Sequence, residues 1–133
     1  MNNHNNASSV SLGKAYEEKA AAFLAKRGFQ VLERNFRCRQ GEVDLVGVHE
    51  GCLVFVEVKY RKNRTSGMPE EAVGEGKQRK ICRVSDYFRI RHPEYCAMQV
   101  RYDVIAVCAE ETRWYKNAFF YHVKGASGSE AFW

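Results

Sequence analysis

Asp44, Glu57 and Lys59 are the residues of this 133-residue chain whose types and spacing suit metal-assisted chemistry on an anion. Two carboxylates offer hard oxygens to a small divalent cation, and an ammonium beside them suits charge developing on a reacting group. All three lie in Gly41–Arg61, GEVDLVGVHEGCLVFVEVKYR, where two β-branched runs, Val43–Val48 and Cys52–Val58, surround His49-Glu50-Gly51. That pattern predicts a β-hairpin. With Glu50-Gly51 as a two-residue turn, His49 pairs with Cys52, Asp44 stands opposite Glu57, and Glu42 stands opposite Lys59. Such partners share a sheet face with Cβ atoms roughly 4.5–5.5 Å apart, whereas a three-residue loop would put Asp44 and Glu57 on opposite faces. Two carboxylates so close among valines repel each other, and a divalent cation between them removes the conflict. A solvated hairpin end accounts for the same residues, and the hairpin alone does not decide between the two.

The flanking elements must hold these groups in place. Leu12, Tyr16, Ala20, Phe23 and Leu24 recur at helical spacing and predict a helix over Ser11–Arg27, stopped by Gly28. Glu17 sits at the edge of its apolar stripe, within reach of a neighbouring sheet; a plain surface acid beside Glu18 is the reading that spacing alone favours. Gln30–Phe36 reads as a first strand and Arg37–Gly41 as a basic turn into the hairpin. Beyond the hairpin, Lys62–Gly67 is a polar connector, and Lys59, Arg61, Lys62 and Arg64 make the densest positive run in the chain. Next to a carboxylate pair that run suits a phosphodiester backbone; a solvated loop is the plainer reading. Pro69–Arg91 reads as largely helical, with a short first piece loosened by Gly74 and Gly76. The main helix follows from Lys77, with Ile81, Val84, Ser85 and Phe88 inward and His92-Pro93 ending it. Lys77, Arg79 and Lys80 crowd its first turns, against the dipole preference, and an anionic ligand would offset that. Gln99–Cys108 is a buried strand and Arg113–Lys116 a last short one. Asp103 is expected to pair with Arg101 or with a basic hairpin residue, in a structural role.

Composition bounds the rest. Hydrophobic residues make up 45% and charged residues 28%, as in ordinary globular domains. The net charge of +5 and pI near 9.0 fit a polyanionic partner. No apolar run approaches ~18 residues, and MNNHNNASS lacks the layout of a signal peptide, so a cytoplasmic protein with no membrane partner is expected. Five widely spaced cysteines without a CxxC read as reduced thiols. The four histidines supply no clustered zinc ligands, and no phosphate-cradling glycine loop or Ser-His-Asp set is present. Residues 1–10 are expected to be disordered, 11–125 to form one domain, and 126–133 to be a flexible tail.

Asp44, a spacer of twelve residues and Glu57-Val58-Lys59 resemble the Asp…(Asp/Glu)-x-Lys core of PD-(D/E)XK nucleases. Gly41-Glu42-Val43-Asp44-Leu45-Val46 and Val54–Arg61 more closely resemble the YraN-like family of small bacterial proteins, over about Gly13–Phe119. Gly13, Glu17 and Ala20 match that family's Gly-x-x-Gly-Glu-x-x-Ala pattern, with Tyr16 where the second glycine usually stands. Arg34, Asn35 and Arg37, then Lys77-Gln78, Arg101–Val104 and Asn117–Phe119 resemble further stretches of it.

The resemblance implies a restriction-endonuclease-like α/β domain, a central mixed sheet flanked by helices. It implies a predicted endonuclease, distantly similar to archaeal Holliday junction resolvases, that hydrolyses phosphodiester bonds in nucleic acid, DNA above all. Asp44, Glu57 and Glu17 would hold Mg²⁺, with Mn²⁺ as an alternative, and Lys59 would orient water or stabilise charge. Gln78 would orient water or a phosphate oxygen, while Arg61, Lys62, Arg64, Lys77, Arg79 and Lys80 would bind the nucleic acid. A homodimer is left open. A non-catalytic nucleic-acid-binding module and a protein–protein adaptor that keeps the fold are the alternatives.

Overall fold

A computed structural model describes residues 3–61 and 73–124, with side chains from residue 12 onward. Lys62, Arg64, the rest of the polar connector, all but Val73 of the short helical piece expected at Pro69–Val73, and the tail 126–133 lie outside the described residues.

Helix α1 spans Asn3–Ala25, beginning ahead of the expected Ser11. Its end is a Schellman motif: Phe29 N–H donates to the Leu24 carbonyl and Gly28 N–H to that of Ala25. Gly28 takes the left-handed conformation, at φ +86°, and Phe29 and Leu24 close the motif with an apolar contact in one buried cluster. The strands are β1 (Gln30–Cys38), β2 (Gly41–His49), β3 (Cys52–Arg61), β4 (Gln99–Cys108) and β5 (Thr112–Phe119), with α2 (Glu75–Arg91) between β3 and β4. β1 runs further than the expected Phe36, because Cys38 pairs with Gly41 and leaves only Arg39-Gln40 as the turn. β5 likewise extends past Lys116, continuing beyond a bulge where Asn117 has φ +57°.

The five strands form one sheet in the order β1-β2-β3-β4-β5. β3 and β4 are parallel, joined across α2, and the other neighbours are antiparallel. The β2–β3 turn has φ +49° at Glu50 and +77° at Gly51, the signs of a type I′ hairpin turn. It fixes the predicted register, His49 against Cys52 through Leu45 against Val56.

Each sheet face carries one helix. Val43, Val46, Leu53, Phe55 and Tyr102 pack under Ile81, Val84 and Phe88 of α2. Leu45, Val54, Val56, Ile105 and Val107 pack under Ala20, Ala21 and Leu24 of α1. This is an α/β fold with a mixed five-stranded sheet between helices, in keeping with a restriction-endonuclease-like domain. Gly47 of β2 has no room for a side chain: a Cβ there would lie 2.1 Å from the Phe29 ring and 2.3 Å from the Gln30 carbonyl oxygen.

Asp103 is fully buried. It accepts hydrogen bonds from Arg101 (2.9 Å), the Trp114 indole (2.8 Å) and the Asn117 amide (2.8 Å), so it has the expected structural role and pins the β4–β5 bulge. Among the described residues no helix is long and apolar enough to cross a membrane.

Candidate functional site

The sheet forks where the carboxylates lie. The β2–β3 ladder stops at Leu45–Val56. Beyond it β2 stays paired with β1 down to Gly41, while β3 stays paired with β4 out to Arg61. Asp44 and Glu57, the expected cross-strand partners, fall just past the last ladder pair and are not paired in the sheet. Side-chain alternation also breaks there, since Val43 faces α2 and Leu45 faces α1, whereas a regular strand would put both on one face. The irregularity is matched on β1 by Asn35, which lies between the residues paired with Leu45 and Val43 and has φ +53°.

Asp44 fills the fork. Its Oδ2 accepts the Val58 N–H at 2.7 Å, replacing a lost ladder bond. Its carboxyl group is also within hydrogen-bonding range of Glu57. Glu57 is 5% exposed. Burial first, then the Asp44 charge and hydrogen bond, push its carboxyl up from 4.5 to about 7. Lys77 and Lys59 oppose the rise, with Nζ atoms 3.4 and 4.0 Å from Glu57 Oε2. Burial beside a second carboxyl group therefore disfavours the charged form of Glu57.

Glu17 reaches the site from α1. It lines a cleft of about 350 Å³ with Tyr16, Asn35, Arg37, Glu42, Asp44, Val58 and Tyr60 among its walls. Burial first and the Asp44 charge second push its carboxyl above the ordinary value, while a hydrogen bond with Asn35 works against them. Among the described residues no group of three or more His, Cys, Asp or Glu side chains stands in ligand geometry. The structure thus joins Asp44 with Glu57 directly and brings Glu17 to the same cleft without closing a triad.

The other expected residues divide. The Lys59 ammonium stays beside the carboxylates, on Glu57. Lys77, expected on phosphate, is bound to Glu57 as well; sequence spacing gave no sign of that pairing, which depends on how α2 crosses the sheet. Glu42 does not stand against Lys59, because its strand has turned to β1, where it pairs with Arg37 by register and by charge. Gln78 has both ends of its amide engaged elsewhere: Nε2 donates to the Val73 carbonyl (2.8 Å), and Oε1 meets His122 Nε2 at 2.9 Å. His122 carried no sequence signal. Arg79 and Lys80 are exposed on α2, and Arg61 is half-buried at the end of β3.

The model of an uncharacterised protein family, UPF0102, matches residues 16–107, a span that holds Glu17, Asp44, Glu57, Lys59 and Lys77. The chain belongs to the UPF0102 family. It is 47% identical over 109 residues to a UPF0102 protein of Lachnoclostridium phytofermentans, covering 80% of this chain and 91% of that relative. It is 36% identical over 118 residues to one of Alcanivorax borkumensis, covering 85% and 94%. A third, from Cytophaga hutchinsonii, is 39% identical over 102 residues. The YraN-like resemblance agrees with this membership. The UPF0102 match takes in the last part of α1, strands β1 to β3, α2 and nearly all of β4, and stops before β5 and His122.

Proposed function

We propose that this protein is a metal-dependent endonuclease that hydrolyses phosphodiester bonds in nucleic acid, chiefly DNA and branched DNA in particular. The observation that carries the reading is the fork itself, where Asp44 meets the buried Glu57 with two ammonium groups alongside. A carboxyl pair that needs a proton to coexist suits a divalent cation in the proton's place, and its all-oxygen character suits Mg²⁺ or Mn²⁺. Asp44 and Glu57 would hold the ion, with Glu17 bracing it across the cleft. When bound, the cation would supply Lewis-acid polarisation of the phosphate and shielding of its charge. Lys59 and Lys77 set positive charge beside the reacting group, where it stabilises charge that develops in the transition state. Arg61, Arg79 and Lys80, with Lys62 and Arg64 of the connector, would hold the strand by its phosphates.

A second reading has its own support. Lys77 already compensates Glu57 without any cation, which suits a nucleic-acid-binding module that keeps the fold but does not cut.

Nicking of supercoiled and branched DNA, with Mg²⁺, Mn²⁺ or chelator, separates the two. Wild type should cut only with metal. Asp44→Asn should bind DNA as before and not cut, because the near-isosteric amide removes one negative charge from the ion's shell. Lys59→Ala should lose cutting and keep the metal. Binding that weakens steeply with salt but is never followed by cutting would favour the module. No DNA binding even at low salt would favour a protein–protein adaptor.

A further inference from the structure

Tyr16 of α1 and Tyr60 of β3 stack face to face, with ring centroids 4.3 Å apart and planes within 15°. The pair stands at the rim of the hydrophobic layer under α1. Tyr16 packs against that layer's edge, but Tyr60 lies beyond it and is 43% exposed. Both rings line the cleft that holds Glu17 and Asp44. Tyr60 follows Val58, whose N–H is bound by Asp44, by two residues on the same strand face, roughly 7 Å along the strand. A packing contact that only fastened α1 to the sheet would be expected to bury both rings. Here one aromatic side chain stays open to solvent beside carboxylates.

From this we infer that Tyr60, backed by Tyr16, is a stacking platform for one unpaired nucleobase of the strand whose phosphate enters the Asp44 cleft. The substrate class is then nucleic acid with a single-stranded or branch-point nucleotide. A base inside continuous duplex has both faces covered by its neighbours and cannot use the platform, whereas an unpaired base stacks on an aromatic ring with little regard to its identity. Ring stacking also tolerates the nearby acids, since it engages the face of the base and not the phosphate. The inference rests on the endonuclease reading for its ligand, and it concerns which nucleic acid is taken.

The test is fluorescence anisotropy in chelator, comparing a short single strand with a duplex of the same length on wild type, Tyr60→Leu and Tyr60→Phe. Tyr60→Leu should weaken single-strand binding by about five- to 150-fold, the effect of removing one base–aromatic stack. Tyr60→Phe should restore it, and duplex binding should be the same for all three. Equal single-strand affinity for wild type and Tyr60→Leu, or equal losses on strand and duplex, would overturn the platform while leaving the endonuclease reading in place. Should Tyr60→Leu not fold, 2-aminopurine scanned through the single strand on wild type replaces it. Quenching confined to one position supports the platform, and uniform fluorescence refutes it. Wild type binding neither DNA would overturn both readings together.

Discussion

Glu57→Gln should make the protein more stable at alkaline pH, an unusual result for a change at a buried charged residue. Glu57 titrates near 7 in the folded protein against an ordinary 4.5, chiefly through burial and next through the Asp44 charge. The folded state therefore holds the Glu57 proton more tightly than the unfolded state does. Below about pH 4.5 both states are protonated and the group is neutral towards folding. As pH rises from about 4.5 to about 7 the unfolded state gives up the proton before the folded state does, so stability falls across that window and the loss is complete above it. A displacement of that size corresponds to about 3 kcal/mol between the two limits. Glutamine keeps the shape of the protonated acid and can donate to Asp44, so it avoids the loss. Lys59 and Lys77 are 37% and 44% exposed and remain solvated when the acid is gone, so their release costs little. Urea denaturation in chelator, at about pH 4 and about pH 8.5, measures the difference by linear extrapolation. The variant and wild type should match at the lower pH, and the variant should lead by about 3 kcal/mol at the higher one. Mg²⁺ at a hundred times its dissociation constant should then raise wild type by about 2.7 kcal/mol and leave the variant behind. A variant that is less stable at the higher pH, or a gap that does not change with pH, would refute the account of Glu57 as a buried acid held in its neutral form.

Two other substitutions test the scaffold. Gly47→Ala should destabilise by about 3 kcal/mol or more, because its Cβ would overlap the Phe29 ring and the Gln30 carbonyl; a thermal melt reads this directly. Asp103→Asn should cost about 3–5 kcal/mol, since Arg101 would be left without its buried carboxylate, and urea denaturation at neutral pH checks it.

The hairpin register was legible because Glu50-Gly51 is a two-residue turn whose glycine accepts a positive φ, and the register follows from the turn alone. The extent of β4 and the inward face of α2 were equally open to reading, as long apolar runs with one periodicity. The fork was not. Val43-Asp44-Leu45-Val46 looks like an uninterrupted strand, and its reversal of facing depends on Asn35 of another strand and on a side chain bonding the Val58 amide. The pairing of Lys77 with Glu57 likewise joins residues on separate elements, and local charge on α2 was naturally read as a phosphate surface. Gln78 was placed near the carboxylates by resemblance, and its actual partner, His122, comes from the chain's far end.

The Val58 amide has a particular standing among the backbone groups of β3. Its neighbours in the sheet donate to carbonyls, whose charge does not vary with conditions, but Val58 donates to a carboxylate. Its ¹⁵N and ¹H resonances are therefore a reporter built into the chain, moving with any change of charge or position at the Asp44 carboxylate. One peak in a two-dimensional spectrum would register the state of the site with no label, no substrate and no turnover.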